Sequence, residues 1–369
     1  MGKEGTVNLA IIGIRGFPYV QGGVESHCEQ LIPRFAQKGI TTRVYRRKPY
    51  LTSLSYTKKY NSVKFVDLPS TKIKGVEALF HTILCTFHLL MHRVDVVNIH
   101  NIGPGMMAPI FRLAGIKVVL TYHSPNYEHS KWGCIAKVML RLCEKISLKA
   151  SNHIIFVNKF QRAKYSTPIA LKSSVIPNGI NITEKPSSIN FLTKWDITPN
   201  GYILAVGRLT PEKGFETLIK AIQAMDNEIT LVIAGSQDHN TGYLDYLKSL
   251  DTKNRTIFTG YTTGTDLAEL YANAKMYVLS STHEGFPMVL LEAMSYHLPI
   301  VASDIPATHI IELSKDNYAN AGDFESFKRA IERVLDTQKK PCNYDLGKYN
   351  WDNIAEQTVE VYKNVLNAK

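Results

Sequence analysis

Two glutamates in the segment STHEGFPMVLLEAM, Glu284 and Glu292, are the residues of this sequence best placed to do chemistry. Gly285 and Pro287 lie between them, directly after the apolar run MYVLS. This order predicts a strand that ends in a turn, with Pro287 in the first turn of a following helix. Glu284 would then lie in the loop and Glu292 about one turn into the helix.

The beginning of this predicted helix is suited to binding a phosphate. The first amides of a helix have no partner within it, so those of Phe286, Met288 and Val289 should be unpaired and point outward. Glu284 could accept hydrogen bonds from the hydroxyls of a sugar attached to that phosphate. Glu292 could reach a ribose on the other side.

Two cations form a second candidate group in the segment VGRLTPEKGFE, which follows the apolar run GYILAVG. Arg208 can contact two phosphate oxygens at once, whereas Lys213 acts as a point charge. Both would stabilise a bound diphosphate and the negative charge that develops when it leaves. The sequence therefore predicts a diphosphate site at the end of this strand.

A glycine-rich loop follows the first apolar run, in IIGIRGFPYVQGGVESHCEQL. Gly22 and Gly23 precede a helix that should begin near Val24, and a backbone without side chains lets a ligand approach closely. The loop lacks the GxGxxG order, and no acidic residue closes the second strand. A dinucleotide site is therefore weakly supported.

Two histidines, His100 in VVNIHN and His123 in LTYHSPNYE, end predicted strands. Either side chain could contact sugar hydroxyls or transfer a proton. We expect both to face a cleft between two domains, with His123 the stronger candidate.

Short apolar runs alternate with amphipathic stretches along the chain, a pattern typical of parallel sheets built from βαβ units. The pattern restarts after VIPNGI, which predicts an N-terminal domain over residues 1–182 and a C-terminal domain over residues 183–349. Residues 350–369 predict a final helix. Ligands should bind between the domains, beyond the carboxyl ends of the strands.

Charge is distributed unevenly: residues 1–182 contain 25 Lys+Arg and 8 Asp+Glu, and the remainder contains 18 and 24. The first half should therefore meet an anionic partner, either acidic lipids or a phosphorylated acceptor. No recognisable nucleic-acid module accompanies these charges. The amphipathic stretch KWGCIAKVMLRLCEKISLK could lie on a membrane surface or pack in the core.

Other features narrow the class of protein. The five cysteines are spaced as isolated thiols, without a disulfide framework or zinc motif. The stretch GVEALFHTILCTFHLLMHR is interrupted by Glu77 and three histidines, so a half-buried helix is favoured over a membrane span. No secretory signal is recognised, which predicts a cytoplasmic protein.

Taken together, IIGIRGFPxxxGGVE, TYHS, VIPNGI, GRLTPEKG and EGFPMVLLE resemble the retaining glycosyltransferases of family 4 over essentially the whole chain. The resemblance implies an α/β protein with the GT-B fold, in which two Rossmann-like doubly wound domains face each other across a cleft. The N-terminal motifs resemble the rhamnosyl and hexosyl transferases of bacterial cell-surface polysaccharide clusters. The resemblance to family 4 also implies a metal-independent reaction without a cofactor.

The resemblance implies roles for individual residues. Arg208 and Lys213 would bind the donor diphosphate, Glu292 the ribose and Glu284 the transferred sugar. The predicted site as a whole has catalytic residues, donor contacts and acceptor contacts. The catalytic residues are His123, Glu284, Arg208 and Lys213; the donor contacts are Gly22, Gly23, Arg208, Lys213, Gly285, Phe286, Pro287, Met288, Val289 and Glu292; the acceptor contacts are Arg15, Glu25, His100 and Tyr122.

The predicted activity is transfer of a hexosyl or deoxyhexosyl group from a nucleoside-diphosphate sugar to a glycan or a polyprenyl-diphosphate-linked saccharide. The final helix would pack back on the N-terminal domain, and the protein would contact the inner face of the plasma membrane. Three alternatives remain open: a nucleotide-sugar epimerase or phosphorylase of the same fold, an NAD-dependent oxidoreductase, and a sugar-nucleotide binding protein without activity.

Overall fold

A computed structural model describes residues 6–71, 76–125, 127, 133–182, 185–237 and 242–368. The chain forms two compact units: the first comprises Met1–Gly179 with Tyr349–Lys369, and the second comprises Ile180–Lys348. The first unit ends at Gly179 and resumes at Tyr349. Some residues of the segments discussed above lie outside the described residues: residues 1–5, Gly75, Asn126, Glu128, Lys131, Trp132, Thr183 and Glu184.

The first unit is built on a seven-stranded parallel sheet. Its strands are β1 (Val7–Ile12), β2 (Ile40–Arg47), β3 (Val63–Leu68), β4 (Val96–His100), β5 (Lys117–Tyr122), β6 (His153–Phe156) and β7 (Ser173–Val175). They are arranged in the order β3-β2-β1-β4-β5-β6-β7. Its first helices are α1 (Gly23–Leu31), α2 (Glu77–Met91), α3 (Ala108–Leu113), α4 (Cys134–Ala150), α5 (Lys159–Arg162) and α6 (Thr167–Leu171).

The second unit has a six-stranded parallel sheet in the order β10-β9-β8-β11-β12-β13. These strands are β8 (Tyr202–Val206), β9 (Thr230–Ala234), β10 (Thr256–Gly260), β11 (Met276–Leu279), β12 (Ile300–Ser303) and β13 (Tyr318–Ala319). The accompanying helices are α7 (Asn190–Lys194), α8 (Phe215–Ala224), α9 (Tyr243–Leu250), α10 (Gly264–Asn273), α11 (Met288–Ser295) and α12 (Phe324–Thr337). This architecture confirms the predicted doubly wound α/β fold.

The last helix, α13 (Trp351–Asn367), belongs to the first unit. Asn350 caps it by accepting hydrogen bonds from the amides of Asp352 and Asn353. Its buried face packs on the sheet, where Asn98 Nδ2 donates to the Tyr362 hydroxyl at 2.7 Å. Because both groups are buried, this hydrogen bond holds the helix in one position on the sheet.

The apolar segment around α2 is a half-buried helix, as the sequence predicted. Among the residues that the structure describes, no helix has both the length and the apolar character needed to span a membrane. All five cysteines are free; Cys28, Cys85 and Cys143 are buried, Cys134 is exposed and Cys342 is intermediate.

The strand order reverses between β1 and β4 in the first sheet and between β8 and β11 in the second. In doubly wound sheets the loops that leave such adjacent strands diverge, and ligands bind in the space between them. The predicted site segments follow these strands or their neighbour β5. The topology therefore places each group at the edge of a sheet where small ligands bind.

A matched pair of glycine substitutions separates backbone conformation from close packing. Gly214 and Gly264 have nearly the same positive φ, 63° and 60°, but a Cβ on Gly214 would lie 2.2 Å from the Ser280 carbonyl oxygen, whereas Gly264 has open space. Gly264→Ala should lower the free energy of unfolding by about 1–2 kcal/mol. Gly214→Ala should cost about 1–3 kcal/mol more through overpacking. Urea unfolding of both variants checks this, and equal losses would contradict the packing argument.

Candidate functional site

The loops after β8 and β11 are joined by an ion pair. Lys213 Nζ lies 2.6 Å from Glu284 Oε1, and Ser281 Oγ donates to the same oxygen at 2.6 Å. The side chains of Lys213 and Glu284 are 17% and 10% exposed. From the sequence, Lys213 is predicted to bind a diphosphate and Glu284 the sugar attached to it. The structure places these two side chains in direct contact.

Backbone contacts hold these loops at a fixed separation. The Thr282 amide donates to the Glu212 carbonyl at 2.9 Å, and Ser280 Oγ donates to the Lys213 carbonyl at 2.9 Å. The stem of Lys213 passes over Gly207, where a Cβ would lie 3.5 Å from its Cδ and Cε. Arg208, next in the chain, is half-buried at the same edge of the sheet.

The beginning of α11 differs from the prediction in one respect. Pro287 is the N-cap residue and the helix begins at Met288, one position later than the sequence suggested. The Met288 amide donates to the Phe286 carbonyl at 3.0 Å, so the prediction that this amide is unpaired is wrong. Pro287 has φ −79° and ψ 86°, close to the central residue of an inverse γ-turn, and this turn forms the bond between Met288 and Phe286.

Glu292 lies on α11, half-buried, and accepts a hydrogen bond from the Tyr271 hydroxyl at 2.7 Å. The Tyr271 ring stacks on Tyr296, with ring centroids 5.5 Å apart and planes 7° from parallel. Burial raises the pKa of Glu292, and the hydrogen bond from Tyr271 partly offsets this effect. Sequence reasoning missed Tyr271, whose position in an ordinary amphipathic helix carries no signal of contact with Glu292.

In the first unit, the glycine-rich loop is closed by Glu25. Its Oε1 accepts from the Arg15 amide at 3.0 Å, and its Oε2 would lie 2.1 Å from a Cβ on Gly22, whose φ is 150°. Helix α1 begins at Gly23, where a Cβ would meet nothing within 4 Å. Gly22 is therefore required by the loop itself, and Gly23 leaves open space beside it.

Three buried histidines meet at the edge of this sheet. His100 Nδ1 lies 2.9 Å from His123 Nε2, and His27 from α1 lies against both rings. Nitrogen atoms of the three lie within 4.8 Å of one another, a spacing at which a metal ion could bind. Burial lowers the pKa of all three, that of His27 to about 4, so the cluster is uncharged at neutral pH. The sequence did not single out His27, although it follows the GGVE motif by two residues.

Tyr122, predicted to contact an acceptor, is fully buried in the core of the first unit. Its hydroxyl donates to Glu144 Oε1 at 2.5 Å and accepts from the Tyr165 hydroxyl at 2.9 Å. Tyr122 contacts Glu144 of α4, whereas the next residue, His123, contacts His27 of α1. This position does not support direct contact between Tyr122 and a ligand.

Comparison with known proteins identifies the class. Residues 21–184 match the family model "Glycosyltransferase Family 4", and residues 193–351 match "Glycosyl transferases group 1".

Three curated relatives are similar to the chain. An uncharacterized glycosyltransferase of Methanocaldococcus jannaschii is 26% identical over 94% of this chain and 95% of its own length. The O-antigen chain mannosyltransferase of Salmonella typhimurium is 29% identical over 60% and 62%. The UDP-Gal:alpha-D-GlcNAc-diphosphoundecaprenol alpha-1,3-galactosyltransferase of Escherichia coli is 26% identical over 67% and 68%.

Solved structures show the same fold. Sucrose-phosphate synthase from Thermosynechococcus elongatus matches with a TM-score of 0.81 and 19% identity, over 98% of this chain and all of that one. The two parallel-sheet units, the edge sites and the two family models together define the protein as a glycosyltransferase with the GT-B fold.

The raised pKa of Glu292 predicts a pH-dependent stability difference. The folded state binds this proton more tightly than the unfolded state, so stability falls as pH rises from about 4.3 through the folded pKa. Glu292→Gln removes this loss while it keeps an acceptor for Tyr271. The variant should gain stability relative to the native protein at pH 8 but not at pH 4, measured by urea unfolding.

Glu356→Gln, on the exposed side of α13, is the matched control. It should show no such difference between the two pH values. A Glu292→Gln variant that gains nothing at pH 8 would contradict the desolvation argument.

Proposed function

We propose that the protein is a retaining glycosyltransferase that moves a hexosyl or deoxyhexosyl group from a nucleoside-diphosphate sugar to a glycan or polyprenyl-diphosphate-linked saccharide. The observation that carries the proposal is the pairing of Lys213 with Glu284 across the loops of β8 and β11. A diphosphate and a sugar are joined by one bond in such a donor, so the groups that bind them must lie side by side.

In this proposal each residue of the second unit has one role. Arg208 and Lys213 bind the diphosphate, together with backbone groups of residues 285–289. Glu284 accepts hydrogen bonds from the transferred sugar, and Glu292 binds the ribose hydroxyls. Gly22 and Gly23 are kept as proposed donor contacts, and Gly23 leaves room for a ligand beside its own loop.

The proposed reaction retains the configuration at the anomeric carbon. The bond from this carbon to the diphosphate breaks, the acceptor oxygen bonds to the same face, and the hydroxyl proton passes to a diphosphate oxygen. Arg208 and Lys213 stabilise the charge that develops on the leaving group, which is the task that a metal ion performs elsewhere. His123, neutral through burial, is proposed to contact the reacting sugar.

The acceptor is proposed to bind to the first unit, at Arg15 and the loop that Glu25 closes. Arg15 also lies over the Tyr50 ring, with its guanidinium carbon 4.8 Å from the ring centroid. A polyprenyl-diphosphate acceptor suits the positive charge of this unit. The similar galactosyltransferase of Escherichia coli is named for a diphosphoundecaprenol substrate, and the Salmonella relative for O-antigen chains. We therefore place the reaction in cell-surface polysaccharide synthesis.

Helix α4 supports contact with a membrane that contains such an acceptor. Its inner face packs on the sheet, but a second apolar stripe faces outward: Ile135, Val138, Met139 and Leu142, between 54% and 86% exposed. These positions have the i, i+3, i+4, i+7 spacing of one helical face. From the sequence alone, this stretch could lie on a membrane surface or pack in the core. In the structure, α4 has apolar residues on both its inner and its outer face.

The charge of α4 supports anionic lipid as the proposed occupant of this outer face. Arg141, Lys145 and Lys149 are exposed on α4, whereas its acid, Glu144, is buried under the hydroxyls of three tyrosines. Leu113, on the adjoining helix α3, is also an exposed apolar side chain. Apolar insertion combined with basic residues is the pattern of a reversible interfacial contact, proposed here with the inner leaflet of the plasma membrane.

Substitutions in the second unit test the proposed activity. Glu284→Ala should lower kcat about 100-fold or more, because an interaction with the transition state is lost, while nucleoside-diphosphate binding is largely kept. Arg208→Ala should weaken both. Transfer is measured with radiolabelled nucleotide sugars and lipid-linked acceptors, and binding by calorimetry.

Glu228→Ala and Lys220→Ala, exposed positions of the same unit, serve as controls and should keep full activity. Native transfer rates in Glu284→Ala would overturn the assignment of the donor site.

The membrane contact is tested by placing a negative charge on the exposed apolar face of α4. Leu142→Glu should reduce cosedimentation with vesicles containing anionic lipid, because a carboxylate replaces an inserted apolar side chain and repels the lipid charge. Ile189→Glu, an exposed apolar position of the second unit, is the control and should bind as the native protein does. Unchanged vesicle binding by Leu142→Glu, or a dimer in solution that this variant dissociates, would contradict the lipid assignment.

A further inference from the structure

The first unit ends at Gly179 and resumes at Tyr349, and His27 contacts a residue close to each of these points. Asn178 Oδ1 is 2.7 Å from His27 Nδ1. The Trp351 indole packs on the His27 ring, with ring centroids 5.7 Å apart and planes at 65°. One buried side chain of α1 therefore contacts the two chain segments at which the first unit ends and resumes.

Gly179 shows how closely these segments pack. A Cβ at this position would lie 2.5 Å from the Trp351 ring, so the indole occupies the space of the missing side chain. His27, Asn178 and Trp351 are all buried, which leaves little freedom for the His27 ring. Asn178 and Trp351 therefore hold the His27 ring from two sides, in addition to its contacts with the other two histidines.

The His27 ring in turn contacts the His100–His123 pair. It meets His123 edge-on, with centroids 5.2 Å apart and planes at 82°, and lies 5.7 Å from His100. The His100 and His123 rings are nearly parallel, with centroids 5.2 Å apart and planes at 22°. His123 therefore has one neighbouring ring nearly parallel to it and one nearly perpendicular, and the two together limit movement of its own ring.

Hydrogen bonding fixes protons as well as positions. An amide oxygen can only accept, so the neutral His27 ring has its hydrogen on Nδ1, toward Asn178, and a lone pair on Nε2. The 2.9 Å contact between His100 Nδ1 and His123 Nε2 needs a hydrogen on one of these atoms only. This contact couples the tautomer of His123 to that of His100.

We propose that His100 and His27 are positioning residues for His123. His100 fixes the tautomer and orientation of the His123 ring through the shared hydrogen bond. His27 holds the pair against the segments around Asn178 and Trp351. The inference rests on the proposed function, in which His123 contacts the reacting sugar, and it assigns buried histidines that this function does not otherwise use.

The geometry favours hydrogen bonding over metal coordination in this cluster. Two imidazole nitrogens on one tetrahedral zinc ion, each about 2.0–2.1 Å from it, are separated by about 3.4 Å. The observed 2.9 Å is shorter and lies within the normal range for a hydrogen bond. Metal coordination would require the pair to move apart and lose its shared hydrogen.

A pair of substitutions at His100 tests the positioning role. His100→Leu removes the bond to His123, whereas His100→Asn keeps an amide group near the position of Nδ1. We expect His100→Leu to lower kcat about 100-fold, the scale of a misplaced catalytic group, with an unchanged KM for the donor. His100→Asn should restore kcat to within about tenfold of native. Equal kcat values in these two variants at equal melting temperatures would overturn the proposal.

The tautomer is read out independently of activity by ¹⁵N NMR of the imidazole nitrogens. The His123 resonances should shift in His100→Leu and return toward native values in His100→Asn. His27→Phe, which keeps a ring but loses the bond to Asn178, should shift them less. Unchanged His123 resonances in His100→Leu would sink the positioning role, even if the native protein shows no transferase activity and the proposed function fails.

Metal analysis of the purified native protein completes the test. Zinc or another transition metal at one equivalent, lost in His100→Leu, would overturn the hydrogen-bonded cluster in favour of coordination. A metal content well below one equivalent supports the proposal. His92→Asn is the control for adventitious binding, because His88 and His92 form a stacked pair outside the cluster.

Discussion

Parallel strands place all of their carboxyl ends at one edge of a sheet, and the other features of the candidate site depend on this constraint. Strand order reverses beside β1 and beside β8, so the loops after those strands separate from their neighbours and leave room at the edge. Residues far apart in sequence, such as Lys213 and Glu284, then come within 2.6 Å. The charged groups can therefore be distant in sequence, because the sheet brings them close together in space.

Much of this arrangement could be predicted from the sequence. The alternation of apolar runs and amphipathic stretches predicted both sheets, and EGFPMVLLE and GRLTPEKG marked the loops that end β11 and β8. Short strands escaped detection: β7 has three residues and β13 has two, too few for a periodic pattern. The contacts of Tyr122 and His27 were also missed, because they depend on which face of an element meets which neighbour. Local sequence does not encode that information.

The buried polar groups of the two units are stabilised in different ways. Glu284 is compensated by Lys213, whereas Glu292 has a phenol as its hydrogen-bond donor and a raised pKa. In the first unit, Glu25 closes a loop through the Arg15 amide, and the histidines remain neutral. In each unit, pairing with an opposite charge, hydrogen bonding or neutralisation lowers the cost of keeping these groups away from water.

The position of α13 has a consequence for the order in which the protein folds. This helix belongs to the first unit, yet its residues follow the entire second unit in the chain, and its Tyr362 forms a buried hydrogen bond with Asn98 in the first sheet. A ribosome therefore releases every residue of the second unit before the first can be completed. The second unit, continuous in sequence, can reach its native contacts during synthesis, while the first must keep a sheet face uncovered until Trp351–Asn367 emerges.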